Sequence, residues 1–253
     1  MLSVRRLNKD NTWLIHWDDA TILVDPWLSG SEIDGFKAFN EQWHATESVP
    51  YSEVGDFDLV IISQVYHDHC HPETLEKLGT HYPIAAVPGA CKKLQKQFAH
   101  QLLQPIPTIK QNFLAWENFN IARIKPNKLL ATFYALIVVR GEEFIFIAPH
   151  GCNIKAEDLA PIQGFKCKLL ITTFTLYQLP FFLGGKINPG LEDAQSLIHL
   201  LNPSYVLNTH DENKIAKGVA NHLAKIRYPD FENISLPPNF RFINDYQNTI
   251  LEG

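Results

Sequence analysis

The stretch Asp58-Leu-Val-Ile-Ile-Ser63-Gln64-Val-Tyr66-His67-Asp68-His69-Cys70-His71-Pro72-Glu-Thr-Leu75 changes character twice. Leu59, Val60, Ile61 and Ile62 form a short apolar run rich in β-branched side chains, the pattern of a buried strand. The run stops at Ser63, and three imidazoles and one carboxylate follow between His67 and His71. Pro72 then stands where a helix tolerates proline, in its first turn, and Thr74-Leu-Glu-Lys-Leu continues the helix. The polar cluster therefore sits on a loop between a strand and a helix, where α/β folds present their chemistry. Imidazole and carboxylate together form the ligand set for zinc, manganese or iron.

Outward from this loop, composition narrows the classes. The chain has 253 residues, enough for one large domain or two small ones. Hydrophobic content of 45% and charged content of 19% are ordinary for a globular protein. A net charge of -5 argues against nucleic acid as a partner, because that requires a basic footprint. Lys92-Lys93 beside Cys91 reads as a solvated helix face. The cysteines, Cys70, Cys91, Cys152 and Cys167, are scattered with no Cys-x-x-Cys pair. No disulfide framework is expected, and a reducing, cytoplasmic setting is. The first ten residues lack the apolar core of a signal peptide. No apolar run reaches the ~18–20 residues of a membrane span, so no membrane is expected either.

Taken in order, Thr12–Trp17 and Thr21–Asp25 read as two strands joined by a turn at Asp18-Asp19-Ala20. Residues 31–55, with Trp43, His44, Pro50 and Tyr51, show no clear period and read as a long loop or lid. After the strand–loop–helix segment come a strand at Tyr82–Pro88 and a helix from Ala90 to about Leu103, with Leu94, Phe98 and Leu102 at helical spacing. From Asn112 to Phe146 the pattern is mostly β, with strands at Asn118–Ile124, Ala131–Val139 and Glu143–Ala148. The last ends in Pro149-His150-Gly151. A short helix at 155–160 and a strand at Lys168–Thr173 follow. The apolar, glycine-rich Tyr177–Gly190 reads as a loop walling a pocket. It does not match a phosphate-binding loop. A helix at Leu191–Leu201 leads into Pro203–Thr209, a strand ending in His210. A helix near 215–225 and closing strands near 240–251 complete one domain, 1–253.

At Ser63–His69 the chain resembles the metallo-β-lactamase fold superfamily, whose signature is a strand, Ser/Thr-His-x-His-x-Asp-His, then a helix. Asp68 and His69 fall on its Asp-His pair, and Gln64 and Tyr66 fall where its first two histidines stand. His150 occupies the position of the family's bridging Asp, and His210 that of its last histidine. Around Lys125-Pro126-Asn127, where the third signature histidine belongs, there is none. Asp25-Pro26-Trp27-Leu28-Ser29-Gly30 is similar to the family's early strand end beside the metal loop. Its ordinary reading is an Asp starting a turn before Pro. Its functional reading is a carboxylate behind the ligands, holding a ligand imidazole by its free N–H. The layout, in particular this segment, looks most like the ascorbate-6-phosphate lactonase-like branch.

The resemblance implies an αββα four-layer sandwich of two mostly antiparallel sheets. It also implies a metal centre that has lost one of its two sites. The three ligands of one site are absent, whereas Asp68, His69, His150 and His210 stand at the four positions of the other. Singly, each histidine is more often a hydrogen-bonded loop residue than a ligand. Together, each follows an apolar strand at a ligand position. One divalent ion is expected, zinc first, with manganese or iron as alternatives. His67 and His71 are spare imidazoles, either of which can join it. A metal-dependent hydrolase of a small-molecule ester, lactone or similar bond follows. Asp68 would position the water or accept its proton, and Tyr66 would donate to a developing oxyanion. Gln64 would supply an amide behind the ligands. The competing class is a non-catalytic protein that binds a ligand or partner in the remodelled pocket.

Overall fold

The computed structural model describes residues 1–79, 81–97, 102–125 and 133–251. The chain divides into two compact units. The first comprises Met1–Pro105, Glu212–His222 and Ile243–Gly253, and the second Ile106–Asp211 and Leu223–Phe242.

The first unit is built on a seven-stranded sheet in the order Asn248–Leu251, Leu2–Arg6, Trp13–Trp17, Ala20–Val24, Leu59–Ile62, Ile84–Ala86, Leu103–Pro105. Trp13, Ile15 and Trp17 alternate inward with half-buried Leu14 and His16, as a strand covered on one face requires. Asp18 turns this strand back in the left-handed region, φ 56°, which a short polar side chain tolerates. Leu59–Ile62 is buried at all four positions and pairs in parallel with Ala20–Val24 and Ile84–Ala86. An unbroken apolar run is what a central parallel strand needs, and it explains why this segment was so legible. Helices Pro72–Leu78 and Pro88–Gln97 follow the strands Leu59–Ile62 and Ile84–Ala86.

The second unit holds a seven-stranded sheet in the order Phe240–Arg241, Tyr205–Asn208, Lys166–Thr172, Glu143–Ala148, Ala135–Arg140, Phe119–Ile124, Leu114–Trp116. Its core gathers Ile137, Phe146, Leu170, Phe174 and Val206, with helix Leu191–Leu201 contributing Ala194 and Leu197.

Each large sheet contains three antiparallel and three parallel ladders, so neither is mostly antiparallel. Hairpins supply the antiparallel half, apart from the ladder of Leu2–Arg6 with Asn248–Leu251. The parallel half needs crossovers, which the helices and longer connections provide.

Other differences from the sequence reading lie in the connections. Residues 31–55 are not a structureless loop. Strands Glu32–Asp34 and Asn40–Trp43 form a hairpin, and Ile215–Lys217 joins it as a third strand. That strand, with the short helix Val219–Leu223 and strand Lys225–Arg227, replaces the helix expected near 215–225. Tyr177–Gly190 contains strands Leu176–Gln178 and Lys186–Pro189. Phe98, and the expected histidine position at Pro126 and Asn127, lie outside the described residues. All four cysteines are buried and unpaired. Among the described residues no helix is long and apolar enough to cross a membrane.

Candidate metal centre

The candidate residues divide between the units. Asp25, Gln64, Tyr66, His67, Asp68, His69 and His71 belong to the first, His150 and His210 to the second.

In the first unit the strand Ala20–Val24 ends at Asp25, which is fully buried and held in the left-handed region at φ 47°. Such a conformation costs energy at a non-glycine residue and persists where surrounding bonds enforce it. Here Asp25 Oδ1 accepts the Ser63 backbone N–H at 2.7 Å, and Oδ2 accepts the Ser63 hydroxyl. Asp25 Oδ2 also accepts from His69 Nδ1 at 2.8 Å. The carboxylate thus ties the end of one strand to the loop after its neighbour and fixes the His69 ring. With Nδ1 engaged, His69 presents Nε2, which lies 3.6 Å from Asp68 Oδ2. Burial works against a charged His69 ring, but the Asp68 and Asp25 carboxylates and the Asp25 hydrogen bond outweigh it, raising the pKa to about 9. The same negative field favours a cation at Nε2. Asn11 Nδ2 donates to the Asp68 backbone carbonyl at 2.8 Å and holds the loop independently of the Asp68 side chain.

The other residues of the loop build its frame. The Tyr66 carbonyl accepts the N–H groups of His69, at 3.1 Å, and Cys70, at 2.7 Å, closing the turn. The Tyr66 side chain is half-buried and Gln64 is buried. His71 is the N-cap of helix Pro72–Leu78: its Nδ1 accepts the Thr74 N–H at 3.2 Å and its Nε2 faces the Ser31 carbonyl at 3.3 Å. Burial pushes its pKa down to about 4, in keeping with a neutral ring that accepts at one nitrogen and donates at the other. Both nitrogens are occupied within the unit. His67 is half-buried, and burial, then Lys93, lowers its pKa.

Around Asp68 the first unit also places residues that the sequence reading did not single out. Lys214 Nζ lies 3.0 Å from Asp10 Oδ2 and 3.7 Å from Asp68 Oδ2, over the ring of Trp27 at 5.2 Å. The carboxylates around it hold Lys214 protonated, raising its pKa despite burial. Glu32 is 1% exposed, and among the described residues its Oε2 has no hydrogen-bond partner. Burial first, then the carboxylates of Asp34 and Asp68, push its pKa well above the usual carboxylate range. Asp34 is shifted the same way by burial and Asp68.

In the second unit His150 follows strand Glu143–Ala148 and is 6% exposed. Its Nδ1 donates to Asn188 Oδ1 at 2.7 Å, so its Nε2 is the nitrogen presented. The ring stands 4.7 Å from His210, edge to face, and 4.0 Å from Phe133. His210 ends strand Tyr205–Asn208 and, like Asp25 in the other unit, is held in the left-handed region, φ 56°. The next residue enforces this: half-buried Asp211 accepts from the Thr173 hydroxyl and from the Phe174 and Thr175 N–H groups, all within 2.9 Å. Asn208 Nδ2 adds a bond at 3.2 Å. Burial raises the Asp211 pKa against these hydrogen bonds. Asn188 and Asp211 carried no signal that sequence spacing could detect, although Asp211 directly follows His210.

Comparison with known proteins agrees with this architecture. The family model described as a β-lactamase superfamily domain matches residues 7–148, more than half of the chain. No curated protein sequence matches significantly. Among solved structures, an isothiocyanate hydrolase from Delia radicum gut bacteria is 15% identical, with a TM-score of 0.72 over 99% of this chain and 100% of that one. A possible metal-dependent hydrolase from Veillonella parvula is 12% identical, with a TM-score of 0.67 over 98% of each chain. The short form of human tRNase Z is 12% identical, with a TM-score of 0.58 over 99% of each. At these identities the likeness is one of fold, and none of it bears on the lactonase-like branch. The mixed α/β architecture with two large sheets is the metallo-β-lactamase fold, and the chain belongs to the β-lactamase superfamily.

Proposed function

We propose that the protein is a metal-dependent hydrolase of a small-molecule ester, lactone or similar bond. One divalent ion, zinc by preference, would be held by Asp68, His69, His150 and His210. On this reading the two units act as one domain over 1–253, working on a small molecule in the cytoplasm, apart from nucleic acid and membrane.

One observation carries it. His69 and His150, in different units, each engage Nδ1 with a buried oxygen, Asp25 Oδ2 and Asn188 Oδ1, and so reserve Nε2. Metal-ligating histidines are oriented in this way, by an acceptor that fixes tautomer and ring. A carboxylate with three imidazoles suits a divalent ion of the zinc class. Such an ion supplies Lewis acidity toward a carbonyl and makes water a stronger acid. Asp68 would hold the attacking water by a carboxylate oxygen and take its proton. Tyr66 would donate its hydroxyl hydrogen to the oxygen on which charge develops. The names of two similar structures, an isothiocyanate hydrolase and a possible metal-dependent hydrolase, support the class. The non-catalytic reading draws on Gln64 and Tyr66, which stand where the superfamily places ligands.

Protein purified without a histidine tag should contain about one divalent ion per chain by elemental analysis. Two tightly held ions would overturn the single-site assignment. No ion at any pH, including above about 9 where His69 too is neutral, would favour the binding-protein reading. Turnover on a panel of lactones, esters and amides, lost on chelation and restored by zinc or manganese, tests the chemistry.

Asp25→Asn is expected to weaken metal affinity by about 10–100-fold, measured by competition with a chromogenic chelator. Asparagine keeps an acceptor for the Ser63 N–H but turns an NH₂ toward His69 Nδ1. The ring proton then moves to Nε2, the nitrogen the metal needs. Unchanged affinity would show that Asp25 serves only the fold.

A further inference from the structure

The hairpin Glu32–Asp34/Asn40–Trp43 has an unusual inner face. Glu32 pairs across from Gln42 and Asp34 from Asn40, so these four side chains share one face of the ribbon. Glu32, Asn40 and Gln42 are buried, and Asp34 is half-buried. The carboxamides are linked in series: Gln42 Nε2 donates to Asn40 Oδ1 at 3.0 Å, and Asn40 Nδ2 to Asp34 Oδ2 at 3.2 Å. Among the described residues no such donor reaches Glu32 Oε2. The nearby cation, Lys214, hydrogen-bonds Asp10 and reaches toward Asp68, and among the described residues neither Glu32 nor Asp34 takes part in an ion pair. The Lys214 ammonium acts on Glu32 and Asp34 through space; what this face lacks, among the described residues, is a cation that hydrogen-bonds them. Buried carboxylates are found paired or coordinated, because an unpaired one is costly.

We propose that Glu32 and Asp34 form a recognition site for an organic cation, an ammonium or guanidinium group carried by the molecule on which the protein acts. The assignment rests on the hydrolase reading only in making that cation part of a substrate. A second metal ion is the weaker occupant: among the described residues Glu32 and Asp34 belong to no group of three converging ligand atoms. An ammonium or guanidinium needs no such convergence, since it offers several N–H donors to acceptors spread over a surface.

The test is an NMR titration of the full-length, metal-loaded protein with butylammonium, butylguanidinium and neutral butyramide. The cations should bind at least about tenfold more tightly than butyramide. Glu32→Gln and Asp34→Asn should each reduce that preference about tenfold, with metal content unchanged. Glu32→Gln removes a buried like charge and keeps the shape. If it nonetheless fails to fold, the half-buried Asp34→Asn carries the test. Equal affinity for cation and amide in the wild type, or a preference that survives the variants, overturns the proposal. So does magnesium occupying the site in place of the organic cations. With a turnover assay, an amine-bearing ester should show a lower KM than its uncharged isostere, and Glu32→Gln should narrow the gap. Charge-selective binding without turnover would sink the hydrolase reading and leave this one standing; turnover without charge selectivity would do the reverse.

Discussion

Asp68→Asn is expected to lower turnover by ~10²–10⁴-fold, the usual cost of losing a positioned base. The substitution keeps the size and one carbonyl oxygen but removes the charge and the basic oxygen. It also leaves the Lys214 ammonium, 3.7 Å away, facing a neutral amide. The fold should be little affected. The loop is anchored through the Asp68 backbone carbonyl by Asn11 and through the turn closed on the Tyr66 carbonyl, neither of which involves the substituted group. Initial rates and thermal melts on the same preparation provide the check. A variant that hydrolyses at the wild-type rate would remove Asp68 from the mechanism even with the metal in place. If the protein is instead a binding module, the change shifts ligand affinity and there is no turnover to lose.

Gly151→Ala is expected to be the most destabilising small change near the centre. Gly151 has φ 66°, where an L-residue is strained, and an added Cβ would lie 2.6 Å from both Asp193 Oδ2 and Pro189 Cγ. Asp193 cannot simply swing aside, because the same Oδ2 accepts the Cys152 N–H at 3.1 Å. Left-handed strain and forced overpacking together cost about 3 kcal/mol. In a chain of this size that lowers Tm by about 6–12 °C. The displaced segment also carries His150, so metal affinity should fall together with Tm. A Tm within 2 °C of wild type, an order-of-magnitude threshold set by that scaling, would mean that the turn relaxes and does not fix His150.

The legible parts of the sequence were those where burial forces a pattern. Leu59–Ile62 lies between two parallel neighbours and must be apolar throughout, so both strand and following loop could be placed. The ends of Glu143–Ala148 and Tyr205–Asn208 are legible for the same reason, and His150 and His210 stand just beyond them. At Asp25 the sequence alone allows both a turn former and a carboxylate behind the ligands. Its hydrogen bond to His69 is the kind the second role requires, although the turn role is also real, since it caps the strand end at Ser63. The hairpin at Glu32–Trp43 was missed because its inward-facing residues are Glu32, Asp34, Asn40 and Gln42. Strand alternation is detected as apolar against polar, and an inner face made of carboxylates and carboxamides erases that contrast. Asn188 is 38 residues from the histidine it orients, a separation that leaves no trace in local sequence. His71 was counted as a spare imidazole; its capping role depends on helix geometry that residue type alone does not reveal.

The outermost ladder of the first sheet pairs Leu2–Arg6 with Asn248–Leu251. On a ribosome this means that Leu2–Arg6 waits for a strand made long after it. Until then Leu2–Arg6 has its hairpin partner on one side and bare amide and carbonyl groups on the other, an edge open to pairing with another chain. Closing a contact across nearly the whole chain is also entropically slow. The second unit, by contrast, has all its strands through Tyr205–Asn208 in one continuous run of chain, and it can gather its core while the first is still incomplete. Synthesis thus orders the assembly. The half carrying His150 and His210 can form during translation, and the half carrying Asp68 and His69 is sealed only once Asn248–Leu251 is made, so aggregation during expression should be governed by the time spent with that edge open.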